Sequence, residues 1–249
     1  MQMVLDITDH QNNSKRGCIV VPCYNESENL PIIFEKISSL KNDGKLLYFD
    51  FVFVDDGSKD SSYSLLLDGE KKYSWLKIQK HEVNMGFAGA LKTGRIYALD
   101  NSYGYIGQID CDMTHPIELI ENMVQELKSC DMVIASRYVR GGGMENVPLW
   151  RVFISKFSQF GFKILFRLKT KDATSGFRLC KRIVFEQISL CENTFAVQLE
   201  LTVKAEKIGL TVNEIPFILV NRKLGLSKFS LRQYATYAKS VYRIFFNIY

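Results

Sequence analysis

The chain has 249 residues, of which 47% are hydrophobic and 24% charged, so we expect a packed globular core and exclude extensive disorder. It contains no apolar run of the roughly 18 to 20 residues needed to cross a bilayer and no signal-peptide core, which predicts a cytoplasmic protein. Six cysteines without a Cys-x-x-Cys pair favour free thiols over disulfides or a zinc site.

The net charge of +5 conceals an asymmetry between the two halves of the chain. Residues 1–136 hold 13 Lys and Arg against 20 Asp and Glu, whereas residues 137–249 hold 19 against 7, so the halves carry −7 and +12. A strongly basic half predicts an anionic partner. Because its aromatic residues fall on amphipathic stretches and no nucleic-acid recognition motif is present, we expect a membrane surface and no nucleic acid. A solvated basic face is the alternative.

The first half alternates short apolar strands with helical patterns after a polar leader at residues 1–15, which we expect to be flexible. Strands are predicted over residues 17–21, 49–54, 76–79, 105–109 and 132–136. Helices are predicted over residues 27–40, 60–73 and 115–128, with another opened by residues 84–94. This alternation predicts an α/β fold with a mostly parallel sheet and helices on both faces.

The second half changes character after Arg137, where residues 138–143 contain three consecutive glycines and predict a flexible hinge. Residues 148–168 predict a helix rich in aromatic and basic side chains, which is either buried core or a helix lying at a membrane interface. The remaining elements are predicted as a turn-like segment leading into a strand, a helix, a strand and an amphipathic helix at a membrane surface, over residues 172–180, 198–208, 212–219 and 229–249.

Asp110 and Asp112 follow an apolar strand and precede a helix start at His115-Pro116. Side chains alternate along a strand, so the two carboxylates face the same way. One Asp-x-Asp is expected by chance in a chain of this composition. The position is informative, however, because ligands of open α/β sheets bind outside the carboxyl ends of the strands. Paired carboxylates there suit Mg²⁺ or Mn²⁺, which keeps open positions for substrate phosphates.

Seven motifs together are more specific than any one of them. Neither a Gly-x-Gly-x-x-Gly nor a Walker loop is present, which argues against a dinucleotide dehydrogenase or a P-loop enzyme. The motifs are Pro-Cys-Tyr-Asn-Glu (22–26), Asp-Asp-Gly-Ser-x-Asp (55–60), Asn-x-Gly (84–86), Asp-x-Asp-x-x-His-Pro (110–116), Ser-Arg-Tyr (136–138), Asp-x-Thr-Ser-Gly-Phe-Arg (172–178) and Gly-x-Ser-Lys (225–228).

On these motifs the chain resembles the family 2 glycosyltransferases with a GT-A fold, and among them the dolichol-phosphate or polyprenyl-phosphate mannosyltransferases. The resemblance extends from about residue 17 to 235. It implies a GT-A domain over residues 16–228, followed by the membrane-surface helix at 229–249. It also implies a nucleotide-diphosphate sugar as donor, with GDP-mannose favoured and a UDP-sugar possible.

The resemblance further implies a role for each motif residue. A metal ion on the donor diphosphate would be held by Asp110 and Asp112, which with Arg137 would form the catalytic set. Thr114 stands where the family commonly has Gln, so a water would complete the metal shell. The residues implied to bind the nucleotide sugar are Pro22, Tyr24, Glu26, Asp55, Asp56, Asn84 and Asp110. The residues implied to bind the acceptor phosphate are Arg137, Arg151, Ser155, Arg222 and Lys228.

Chemistry distinguishes two acceptors. A sugar hydroxyl needs a general base to remove its proton, whereas a lipid phosphate is already an anion and needs a cationic pocket. The second half has many arginines and few carboxylates, so we interpret Asp172 as structural.

The sequence therefore predicts a peripheral enzyme at the cytoplasmic face of a membrane. It would transfer a hexose to a polyprenyl phosphate with inversion at the anomeric carbon. Whether it works with a separate membrane subunit is left open by the sequence. The alternatives are transfer to a glycan hydroxyl with Asp172 as base, and a non-catalytic nucleotide-sugar-binding partner subunit.

Overall fold

The computed structural model describes residues 16–220 and 231–248, arranged around a seven-stranded sheet. The strands are β1 Gly17–Cys23, β2 Phe49–Asp55, β3 Leu76–Lys80, β4 Tyr105–Gln108, β5 Met132–Ser136, β6 Gly143–Glu145, β7 Arg178–Lys181, β8 Val212–Pro216 and β9 Ile218–Val220. The helices are α1 Leu30–Asn42, α2 Ser62–Lys72, α3 Gly86–Asp100, α4 Leu119–Glu126, α5 Leu149–Phe166, α6 Arg182–Gln187, α7 Val197–Lys207 and α8 Leu231–Ile248.

The strand order in the main sheet is β3-β2-β1-β4-β7-β5-β8, and every pairing except those of β7 is parallel. Alternate residues of β1 pack on opposite faces, Ile19 and Val21 with α1 and Cys18 and Val20 with α3. On the second face Gly94 lets α3 approach closely, since a Cβ there would lie 2.3 Å from Val20 Cγ1. The predicted mostly parallel sheet with helices on both faces is confirmed.

Helix α1 illustrates how the sequence pattern becomes packing. The residues that recur at helical spacing, Leu30, Ile33, Phe34 and Ile37, are all buried in the core. Pro31 lies in the first turn, where its missing N–H leaves no hydrogen bond unmade. The other predicted helices also form, and most begin or end a few residues from the predicted bounds.

Two local predictions in the second half were wrong. The hinge at residues 138–143 is a folded turn that ends in β6, which pairs with β9, and Gly143 N donates to Phe217 O. The single strand predicted over residues 212–219 is divided between two sheets after Pro216, whose missing N–H cannot continue a strand ladder. The turn-like segment at 172–180 leads into a strand as predicted, although β7 already begins at Arg178 and runs antiparallel between β4 and β5.

Helix α5 settles one of the open alternatives. Phe153, Phe157 and Phe160 are 72%, 69% and 61% exposed, so they are not core residues. Two residues of this helix are buried: Gln159 near its middle, and Phe166 at its end, which joins a cluster that includes Ile244 of α8. Within the described residues, no helix is long and apolar enough to cross a membrane.

Candidate active site

Most of the predicted functional residues that the structure describes lie at one edge of the sheet, where β1, β2, β4 and β5 end. The edge also receives the start of β7, because that strand is antiparallel to its neighbours. The crevice between β1 and β4 marks the point where the strand order reverses, which is the usual ligand position in open α/β sheets. There Cys23, at the end of β1, and Cys111, in the loop after β4, are both buried in one core cluster, so the ends of these two strands pack together.

The loop after β1 is tied to the loop after β2. Asn25 N donates to Ser58 Oγ at 3.0 Å, and Glu26 N donates to Ser62 Oγ at 2.8 Å. Pro22, Tyr24 and Glu26 are all partly exposed at this junction. The loop can therefore present side chains to a ligand while its backbone stays fixed.

Asp55, the last residue of β2, is a buried carboxylate that lacks a protein donor among the described residues. Its side chain has no exposed surface, and neither Oδ1 nor Oδ2 receives a hydrogen bond. A buried carboxylate without donors costs several kcal/mol, so it requires a partner that residues 16–220 and 231–248 do not supply. Asp55 is the strongest ligand-binding candidate on the β2 side of the crevice.

Asp56 differs from Asp55 because protein groups donate hydrogen bonds to both of its carboxylate oxygens. Oδ1 accepts from Met85 N at 2.8 Å and from the His81 ring at 2.7 Å, and Oδ2 accepts from Gly86 N at 2.8 Å. Asn84 Nδ2 donates to the Asp56 carbonyl at 3.1 Å. Asp56 and Asn84, both implied to bind the nucleotide sugar, thus hold the start of α3 against the end of β2.

The loop after β4 arranges the paired carboxylates. Asp112 Oδ1 accepts from Thr114 N at 3.1 Å and from Thr114 Oγ1 at 2.6 Å. Asp110 N donates to His115 Nδ1 at 3.0 Å, so that nitrogen carries no proton, and His115 stacks on Phe177 with ring centroids 5.0 Å apart. Thr114 therefore orients one carboxylate and His115 fixes the backbone of the other.

The residue types of this loop fit a divalent ion shared with a ligand. No cluster of three His, Cys, Asp or Glu side chains able to hold a metal occurs in residues 16–220 or 231–248. Two carboxylates leave most of an octahedral shell open, which is the pattern of an ion that also binds phosphate oxygens and water. Asp110 and Asp112 are the residues that could hold it.

On the β5 side, Arg137 and Asp172 form a two-pronged ion pair. Arg137 Nε donates to Asp172 Oδ2 at 2.8 Å and Nη2 to Oδ1 at 2.7 Å, while Arg137 N also donates to Oδ2 at 3.0 Å. Burial opposes the charge of Arg137, but the hydrogen bonds and the charge of Asp172 outweigh it and raise the arginine pKa. The guanidinium is thus a fixed cation beneath the crevice.

The implied acceptor residues are partly brought together. Tyr138 OH and Ser155 Oγ of α5 are 2.5 Å apart, and the guanidinium carbon of Arg137 lies 5.2 Å from the Tyr138 ring centroid. Arg151 precedes Ser155 by one helical turn and is exposed, with its guanidinium over Trp150. Arg222 and Lys228 lie outside the described residues.

Four supporting side chains were missed by the sequence analysis. Buried Arg178 donates to the carbonyls of Ser175, Ala173 and Gln198, and burial lowers its pKa to about 10. It shapes the 172–178 loop and lies in a quoted motif, so its position was visible although its role was not. The other three pair with residues distant in sequence, which no local pattern indicates: Gln159 with Thr174, Glu214 with Asp172 N, and His81 with Asp56.

Comparison with known proteins identifies the family. The model for glycosyl transferase family 2 matches residues 18–189. A polyprenol monophosphomannose synthase from Mycolicibacterium smegmatis is 30% identical over 87% of this chain and 82% of its own length. A dolichol-phosphate mannosyltransferase from Pyrococcus furiosus is 30% identical over 91% of this chain and 62% of its own length.

Solved structures agree on the fold. A mannosyltransferase from Pyrobaculum calidifontis, crystallised with GDP-Man and Mn²⁺, superposes with a TM-score of 0.61 at 18% identity, covering 91% of this chain and 64% of that one. The α/β class with a mostly parallel sheet, expected from the GT-A resemblance, is confirmed. With the family model spanning the β1 to β7 region, the chain belongs to glycosyl transferase family 2.

Proposed function

We propose that this glycosyltransferase moves a mannosyl group from GDP-mannose to a polyprenyl phosphate with inversion at the anomeric carbon. The observation that carries the proposal is the Arg137–Asp172 pair. It supplies a fixed cation, and it occupies the carboxylate that would otherwise be best placed to act as a base. The relatives named above act on lipid phosphates by name, which supports the same acceptor class.

The base of the donor is proposed to bind at Asp55, whose carboxylate has no exposed surface and would be uncovered by movement of the side chains around it as the nucleotide enters. Guanine offers two adjacent donors, N1–H and the N2 amino group, which can occupy both oxygens of one carboxylate. Uracil offers only one ring N–H, so it would leave one Asp55 oxygen without a partner. Because both oxygens of Asp55 lack donors in the described protein, a GDP-sugar satisfies the site better than a UDP-sugar.

Asp110 and Asp112 are proposed to hold Mg²⁺ or Mn²⁺. When bound, the ion neutralises charge on the diphosphate and so makes GDP a better leaving group. The protein contributes the orientation of the two carboxylates, through Thr114 at Asp112 and His115 at Asp110. Water, rather than the shorter Thr114 side chain, would fill the position that a glutamine has in the family.

The acceptor phosphate is proposed to bind between Arg137 and the start of α5. Contacts to Asp172 use Nε and Nη2 of Arg137, so its Nη1 group is the edge that faces an anion. In the reaction a phosphate oxygen forms the new bond to the anomeric carbon as the bond to the GDP oxygen breaks. No proton has to be removed, and arginine is suited to hold the nucleophile. Arg151, Ser155, Arg222 and Lys228 complete the proposed pocket.

The exposed side of α5 is proposed to lie on a membrane surface. Its large apolar residues alternate with basic ones, which is the composition of helices that sit at the headgroup boundary. The exposed apolar residues are Leu149, Trp150, Phe153, Ile154, Phe157, Phe160, Ile164 and Leu165. A peripheral position at the cytoplasmic face, with or without a separate membrane subunit, would bring the phosphate of a lipid to the crevice.

The test is a donor and acceptor panel with the purified full chain. GDP-mannose with Mn²⁺ should raise the melting temperature more than UDP-sugars do, because a ligand that binds only the folded state stabilises it. Addition of polyprenyl phosphate should then yield mannosyl lipid. If a UDP-sugar stabilises the protein and GDP-mannose does not, the donor assignment is wrong. If sugar transfers only to a glycan hydroxyl, the acceptor assignment is wrong.

A further inference from the structure

His81 lies directly after β3 and is buried within a chain of hydrogen bonds that reaches the donor side of the crevice. One ring nitrogen, Nδ1, is 2.7 Å from Asp56 Oδ1, and the other, Nε2, is 2.8 Å from Thr93 Oγ1 on α3. We call these three residues the Asp56–His81–Thr93 chain. None of them is accounted for by the transfer chemistry.

The direction of these bonds follows from the chemistry of the groups. An ionised carboxylate can only accept, so the proton of the imidazole lies on Nδ1 and is donated to Asp56. A neutral ring then has a lone pair on Nε2, which accepts from the Thr93 hydroxyl. The arrangement therefore requires the Nδ1–H tautomer.

The chain fixes the residues around Asp55 from both sides. His81 N donates to the Asp55 carbonyl at 2.8 Å, while the His81 ring holds the side chain of Asp56. Asp56 in turn accepts from Met85 N and Gly86 N at the start of α3. Since both ends of the peptide between Asp55 and Asp56 are held, the His81 backbone and ring together fix the main chain from which the Asp55 side chain projects.

Packing leaves little room for an alternative arrangement of this corner. Gly57 has a φ of +71°, and a Cβ there would lie 3.0 Å from Asn84 N. The loops after β2 and β3 are thus pressed together, and Thr93 lies two turns into α3. Because the surrounding backbone is crowded, it cannot shift when the His81 bonds are lost. The Asp56 side chain would move instead.

We propose that His81 is a positioning residue for the donor nucleotide: through Asp56 and the backbone of Asp55 it holds the Asp55 carboxylate in the orientation that receives the nucleobase. The inference rests on the proposed function, since it requires a nucleotide at Asp55. His81 touches neither substrate nor metal in this arrangement.

The experiment measures the dissociation constant of GDP-mannose with Mn²⁺, and separately the melting temperature, for a set of variants of the full chain. His81→Leu removes both ring bonds and should weaken donor binding by about tenfold, because the carboxylate is misplaced rather than lost. His81→Asn keeps a donor close to the Nδ1 position and should recover most of the affinity. Thr93→Val removes one hydroxyl at nearly constant volume and should give a smaller loss.

Tyr103→Phe is the matched control. It removes a buried hydroxyl that donates to Asp50 at 2.6 Å, near the beginning of β2 and so at the opposite edge of the sheet. This variant should lower the melting temperature without changing donor affinity. If His81→Leu also lowers only the melting temperature and keeps wild-type affinity, the inference is overturned.

Two further results separate the possible failures. If the wild-type protein binds no nucleotide sugar, the proposed function fails. A measurement of the His81 tautomer still tests the Asp56–His81–Thr93 chain. Nitrogen-15 NMR should show His81 protonated on Nδ1, and protonation on Nε2 would overturn the inference. Should His81→Leu fail to fold, Thr93→Val and the NMR measurement decide, with unchanged affinity of Thr93→Val counting against the proposal.

Discussion

The two sides of the crevice are built differently. On the donor side, residues 16–136 form parallel strands covered by helices on both faces, and the polar residues at the strand ends are held by loop backbone. On the acceptor side, α5 carries a row of exposed aromatic residues that cover nothing in the described protein. The difference teaches that the donor half has both faces of its sheet covered and still needs a ligand at Asp55, whereas the acceptor half has an exposed apolar face among the described residues.

The carboxylates of the two sides differ in the same way. Asp55 is buried without a protein donor, which suits a ligand that brings its own hydrogens. Asp172 is equally buried, yet Arg137 and its backbone N–H occupy it, which suits a structural role. Negative charge is thus available where a nucleotide and cation are expected, and it is neutralised where a phosphate is expected.

The largest effect is expected on the donor side, from Asp112→Asn. The amide keeps an oxygen for Thr114 but removes the charge that would hold the metal, so transfer should fall by at least about 100-fold. Activity assays across a Mn²⁺ titration measure it, and removal of metal with a chelator should abolish wild-type transfer. Asp68→Asn is the control, because this carboxylate is exposed on α2 and pairs only with Lys71. Full activity of Asp112→Asn without metal would contradict the assignment.

The next effect is on stability at the acceptor side, from Asp172→Asn. Removing one partner of a buried ion pair leaves the charge of Arg137 uncompensated, and we expect the free energy of unfolding to fall by about 3 kcal/mol. Denaturant unfolding measures this loss. Donor affinity should stay unchanged, since the donor residues lie on other strands. A variant as stable as wild type, yet unable to use a hydroxyl acceptor, would instead assign Asp172 as a general base.

A third prediction concerns the uncovered face of α5. Replacing Phe153 and Phe157 by Ser should weaken binding to vesicles containing anionic lipid by about 100-fold or more, because burial of each phenyl contributes about 1.5 kcal/mol or more. Vesicle sedimentation measures the binding, and wild-type binding should weaken with added salt. The control replaces Leu47 and Tyr48, which are 58% and 70% exposed just before β2. If both pairs of substitutions weaken vesicle binding equally, α5 has no special role in membrane binding.

The donor half could be predicted from sequence because its signals are local. The spacing of Leu30, Ile33 and Ile37 specified the buried face of α1, and the buried runs specified parallel strands. The topology of such sheets then predicted that the motifs of the first half lie at one edge, without knowledge of any contact. The positions of the candidate residues followed from that topology.

Partners distant in sequence could not be predicted. Asp55 and Asp56 look alike in the sequence, and the contacts that distinguish them come from His81 after β3 and from Met85 N and Gly86 N at the start of α3. The aromatic pattern of α5 fits burial and exposure equally well. Periodicity identifies the apolar face of a helix but does not indicate whether that face contacts the core or the solvent. Likewise, β7 pairs with β5 and β4, which precede it by about 45 and 70 residues. The four residues of β7 do not indicate these partners.

The smallest effect is expected where α8 joins the acceptor side. Arg243 donates to both oxygens of Glu192, at 2.9 and 2.8 Å, and Ser240 lies 3.1 Å from Thr194, so polar contacts attach this helix beside the buried Ile244. Burial favours the neutral form of Glu192, but the bonds from Arg243 outweigh it and lower the carboxyl pKa. A lowered folded pKa means that the pair stabilises the fold above the unfolded value of about 4.3 and that this contribution is lost as the pH falls through the folded value.

Arg243→Gln should therefore lower the free energy of unfolding by at most about 1 kcal/mol at neutral pH, because the arginine is half exposed and screened by solvent and salt. The difference from wild type should shrink towards zero in acid as Glu192 becomes protonated, and denaturant titrations at several pH values measure this. Lys71→Gln, which breaks an exposed pair on α2, should change stability less. A difference that stays constant down to strongly acidic pH would mean that Arg243 contributes through packing of its stem, and that α8 is held to the acceptor side by apolar contacts alone.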